Sequence, residues 1–151
     1  MGSWGYQIGD SDQALDVFET IIRNEIYLKA ILNRDDVIYY LNHEEVLCAI
    51  AIIDAQFNGI DDRIWSNYIT DDENYMSILR ALPNWTPRYE LIKTALYKLD
   101  LIKRTSQDGW VDENDKKERN KIIELLKERL QLVDQEVCDF LKNRNCKEKE
   151  Q

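Results

Sequence analysis

Apolar residues recur at helical spacing in the first part of the chain. The series is Leu15, Phe18, Ile22 and Ile26. Separations of three or four residues place these side chains on one face of a helix, where they can pack against a core. Ser11 lies between two aspartates just before the series, so it can cap free amides at the helix start. The pattern predicts a helix that begins near Ser11 and ends near Leu32.

An uninterrupted apolar run at residues 46–53 predicts a second helix with no polar face. Asn42 and Glu45 form a capping pattern before this run, and Gly59 stands where a left-handed residue would end a helix. A helix that is apolar on every side has to be covered on several sides. We therefore expect residues 42–58 to form a buried central helix.

Two more helices are predicted in the second half of the chain. A capping box at residues 70–73 opens the first of them, which ends before Pro83. Thr86 and Pro87 open the next, because a capping hydroxyl followed by proline is typical of helix starts. Apolar residues at helical spacing continue this helix to Ile102.

The last part of the chain predicts one long helix, from about residue 115 to residue 141. Together these elements predict an all-α fold, a single irregular bundle of five or six helices with a buried central helix and a long C-terminal helix. The helical domain is expected to cover residues 1–142. Residues 143–151 are expected to form a flexible C-terminal tail.

The composition indicates a folded domain with an acidic surface. The 151 residues are 44% hydrophobic and 10% aromatic, which is enough for one core without a disulfide or a metal. They include 29 acidic and 20 basic side chains, a net charge of -9. A phosphate backbone is bound by clustered Lys and Arg, so a nucleic acid is not an expected partner, whereas a basic protein is.

The cysteines and the apolar runs indicate in which cellular compartment the protein is expected. The three cysteines have no CxxC spacing, so we expect reduced thiols, with Cys146 as the best candidate for a reactive one. The longest apolar run is far short of the roughly 20 residues needed to cross a membrane. The first residues lack the basic and apolar regions of a signal peptide. We expect a cytoplasmic protein that does not contact a membrane.

No residue pattern indicates a known catalytic or metal centre. His43 is the one histidine and is expected to be a surface or capping residue, and Leu47 stands where an HExxH zinc motif needs its second histidine. We predict that the protein is not an enzyme, with no catalytic residue, cofactor or metal. The alternative requires Asp54, which has apolar neighbours, to lie in a pocket with a raised pKa. A buried, hydrogen-bonded structural acid is the simpler interpretation of Asp54.

Paired acids and aromatic residues predict a surface for a basic partner. Most acidic pairs are interpreted as solvated helix starts, but residues 61–73 combine acids with Trp65 and Tyr68. Acids speed association with a basic surface, and tryptophan is frequent among interface hot spots. Trp65 is either an exposed anchor of that surface or a residue that closes the rim of the core. The predicted partner-binding residues are Glu44, Glu45, Asp61, Asp62, Trp65, Tyr68, Asp71, Asp72 and Glu73.

The opening of the chain resembles that of a bacterial family. The matching residues are Gly2, Trp4, Gly5, Asp12, Ala14 and Asp16. Their pattern, M-G-x-W-G, a short spacer and D-x-A-x-D, is similar to the start of the family known as domain of unknown function 4259. This family has no established enzyme activity that the resemblance could bring to the chain. Small acidic helical proteins of this kind also resemble immunity proteins, which neutralise toxins delivered between competing bacteria.

Two hypotheses of function follow. The first is a non-enzymatic immunity protein that neutralises a basic toxin domain, of the nuclease class, by masking its active-site cleft. The second is a structural or homo-oligomeric helical module. It is suggested by Leu130 and Leu132, which widen the apolar stripe of the last helix enough for it to pair with another copy.

Overall fold

Five α-helices make up most of the part of the chain that the structure describes. The computed structural model describes residues 6–10, 12–21, 25–33, 40–66, 89–104 and 113–149. The helices are α1 (Asp12–Ile21), α2 (Glu25–Leu32), α3 (Tyr40–Asn58), α4 (Tyr89–Arg104) and α5 (Glu113–Lys149). These ranges contain no strand, and an isolated parallel bridge joins Ile8 to Trp65. The prediction of an all-α fold is confirmed.

The first predicted helix is divided into α1 and α2. The two helices pack against each other as well as against α3, which one straight helix could not do. Phe18 and Ile21 of α1 and Leu28 and Leu32 of α2 are buried in the core. Of the four residues of the predicted stripe, Phe18 lies in the core and Leu15 is half-buried. Ile26 is 77% exposed, so its predicted place on the core-facing side is wrong, and Ile22 lies outside the described residues.

The central position predicted for residues 42–58 is confirmed in α3. All four other helices contact α3, and its residues 46–55 are all buried. The backbone of Gly59 has a φ of 81°, and its N–H donates to the carbonyl oxygen of Ala55 at 2.9 Å. This left-handed residue satisfies a carbonyl at the end of the helix, as the sequence predicts.

α3 and α5 run parallel. Arg119 of α5 donates to Glu44, and Arg129 of α5 donates to Asp54. Each of these pairs joins residues 75 apart in the sequence, so the two helices keep one register over their common length.

α4 runs antiparallel to α5. Asp100 of α4 pairs with Lys127 of α5. Lys103 lies one turn further along α4 and pairs with Glu124, one turn earlier on α5. α5 therefore packs between a parallel and an antiparallel neighbour. Leu130 of α5, which the sequence analysis assigned to a contact with another copy, is fully buried and takes no part in one.

α5 is longer than predicted, because it begins at Glu113 and continues to Lys149. Helical backbone thus extends through most of the segment 143–151. An exposed helix end can still fray, so the flexibility of this tail stays a prediction. The helix predicted between residues 70 and 83 lies outside the described residues. None of the five helices is both long enough and apolar enough to span a bilayer.

Candidate functional site

Glu44 is buried against Arg119. Both carboxylate oxygens of Glu44 accept hydrogen bonds from Nη2 of Arg119, each at 2.6 Å. The exposed fraction of the side chain is 6% for Glu44 and 1% for Arg119. A partner cannot reach a carboxylate in this position, so the assignment of Glu44 to a binding surface is wrong. Its burial is possible because the guanidinium on α5 supplies the compensating charge.

Trp65 belongs to the core. It is fully buried, and its ring meets that of Phe18 edge to face, with centroids 5.8 Å apart. The backbone around it is fixed, because Ile8 N–H donates to the oxygen of Ile64 and Ser66 N–H donates to the oxygen of Ile8. The interpretation of Trp65 as an exposed anchor is wrong: the residue lies in the interior of the core, where its indole Nε1 has no hydrogen-bond partner among the described residues.

Asp61 is held by two arginines. Its Oδ2 accepts from Nη2 of Arg63 at 2.6 Å and from Nη1 of Arg129 at 2.7 Å. These contacts, chiefly the hydrogen bond from Arg63, hold the pKa of Asp61 at about 2. Asp61 therefore stays ionised, and its charge is compensated within the molecule.

The remaining predicted partner-binding residues do not form one exposed patch where the structure describes them. Asp62 is exposed and Glu45 is half-buried on α3. The others lie in undescribed parts of the chain, and their binding role stays a prediction; they are Tyr68, Asp71, Asp72 and Glu73.

Asp54 lies in a network of polar side chains. Its Oδ1 accepts from Nε of Arg129 at 3.0 Å and from Nδ2 of Asn58 at 2.9 Å. The side chain is fully buried, and burial raises its pKa although these hydrogen bonds act in the opposite direction. The prediction of a buried, hydrogen-bonded structural acid is confirmed. Arg129 also donates to the carbonyl oxygen of Gly59, so it joins α5 to the end of α3.

His43 and Cys48 are also buried on α3. His43 is 3% exposed, so the predicted surface position is wrong, and the capping alternative stays a prediction. Cys48 Sγ donates to the carbonyl oxygen of Ala14, and burial raises the pKa of this thiol. A thiol that stays protonated is a poor nucleophile. Within the described ranges, no group of three or more His, Cys, Asp or Glu side chains could hold a metal ion.

The negative charge of the chain is concentrated in its first part. Residues 1–66 contain 12 of the 29 acidic and 4 of the 20 basic side chains, a net charge of -8, whereas residues 67–151 contain 17 and 16. In the structure α1 packs on α2 and α3, and α5 packs on α3 and α4. Residues 1–33, which include α1 and α2, contain five acidic and two basic side chains, and two of the acids of α3, Glu44 and Asp54, are paired with arginines of α5. The asymmetry between the first and the second part of the chain is visible in the sequence, but the net charge of the whole chain hides it.

α1 exposes acidic side chains and α2 exposes apolar ones. Asp16 and Glu19 are exposed on α1, a helix without lysine or arginine. On α2, Ile26 is 77% exposed and Tyr27 is 37% exposed. We call these four residues the α1–α2 surface. This combination of acidic and apolar side chains was predicted for residues 61–73, whereas these four residues lie on α1 and α2.

An open groove of about 1320 Å³ runs along α5. Five basic and four acidic side chains line it where the structure describes it, so its charge is nearly balanced. Several of these charges are paired within the groove, including Lys121 with Glu118 and Lys103 with Glu124. A basic partner has no electrostatic reason to prefer this groove to the α1–α2 surface.

Comparison with known proteins found no match: no family model, no curated protein and no solved structure is similar to this chain. The resemblance to domain of unknown function 4259 therefore stays a prediction. Of the residues that carry it, Ala14 is buried and Asp16 is exposed, both on α1.

Proposed function

We infer that this chain is a non-enzymatic binding protein that neutralises a basic protein, in the manner of an immunity protein acting in the cytoplasm. The target would be a toxin domain of the nuclease class, whose active-site cleft the chain would cover. The observation that carries this proposal is the α1–α2 surface, where α1 exposes acids and α2 exposes apolar side chains.

The two kinds of side chain have different roles in binding. The acids Asp16 and Glu19 attract a basic surface over a distance of about 10 Å, the screening length at moderate salt. Ile26 and Tyr27 supply apolar area that becomes buried once the partner has docked, and buried aromatic residues are frequent among binding hot spots. The acids would therefore govern mainly the association rate, and the apolar residues mainly the dissociation rate.

Nuclease clefts suit this mechanism because they are positively charged in order to bind phosphates. A rigid acidic helix surface can occupy such a cleft without the cost of ordering itself on binding. Asp16 lies near the middle of α1, and α1 is fixed to the core by Val17 and Phe18. Its charge is therefore presented on a rigid element.

The test is co-expression of the chain with the products of its adjacent genes. The proposal expects a stoichiometric complex with a basic product, and loss of that product's toxicity to the host cell. The variant Asp16→Lys/Glu19→Lys should give much weaker protection. The matched control, Glu113→Lys/Glu128→Lys, makes the same charge change at exposed positions of α5 and should protect as the wild type does. Equal protection by both variants would remove the α1–α2 surface from the interface, and absence of any complex would contradict the proposal.

A further inference from the structure

We draw no further inference here: the strongest candidate, the exposed apolar face that Phe140 and Leu141 form at the end of α5, carries no proposal because nothing in the described residues shows what covers it.

Discussion

Replacement of Arg119 by methionine tests the buried ion pair that joins α3 to α5. The two side chains have no appreciable contact with solvent, and Glu44 accepts both of its hydrogen bonds at 2.6 Å from one guanidinium nitrogen. Methionine fills much of the same volume but removes the charge, so the Glu44 carboxylate is left in the core with its compensating charge removed. Loss of one partner of a buried pair costs about 3–5 kcal/mol of the free energy of unfolding. A domain of this size is stable by roughly 5–15 kcal/mol, so the loss is a large fraction of the total.

Urea unfolding followed by circular dichroism measures this change in the free energy of unfolding. The matched control is Lys121→Met, which removes the exposed pair with Glu118 on the same helix and should cost less than about 1 kcal/mol. The double variant Glu44→Leu/Arg119→Met should recover most of the stability, because it removes both charges from the core. A cost for Arg119→Met no larger than that of Lys121→Met would refute the conclusion that the charge of Glu44 has to be compensated inside the core.

Two further predictions concern the segment after α3. Gly59→Ala should lower the free energy of unfolding by about 1 kcal/mol, because a backbone φ of 81° disfavours any side chain, even though no atom lies within 4 Å of the added carbon. Thermal unfolding should show a melting temperature lower by about 2–4 °C. An unchanged melting temperature would contradict this backbone strain. Asp61 has a pKa of about 2 in the folded state, below its usual 3.8, so it stabilises the fold above pH 4 and this contribution is lost as the pH falls towards 2. Between pH 4 and pH 2 the free energy of unfolding of the wild type should fall by about 1 kcal/mol more than that of Asp61→Asn. The difference is no larger because Arg63 is largely exposed and solvent screens its interaction with Asp61. Parallel curves of stability against pH for the two proteins would refute this prediction.

Local patterns in the sequence identified the helices because each pattern depends on residues a few positions apart. The apolar run of α3 and Gly59 after it predicted both the burial of this helix and its end. The stripe of α4 was predicted in the same way, and Ile92, Ala95 and Leu99 are fully buried.

The prediction of the binding site was wrong at residues whose burial depends on parts of the chain that are distant in the sequence. Glu44 follows the predicted capping residue Asn42 and was interpreted as a solvated acid. Its partner Arg119 is 75 residues away and becomes its neighbour only through the packing of α5 on α3. Trp65 is likewise buried by Phe18, far from it in the sequence. Asp54 was interpreted correctly because its apolar neighbours in the sequence already indicated burial.

The measurement that tests the proposed function most directly is the association rate constant between this chain and its basic partner at low and high salt, with and without the replacements Asp16→Lys and Glu19→Lys. The account expects the double variant to associate at least about tenfold more slowly than the wild type at low ionic strength, with the difference shrinking as salt screens the charges. Equal rate constants for the two proteins at low ionic strength would contradict a neutralising complex formed through the acidic α1–α2 surface.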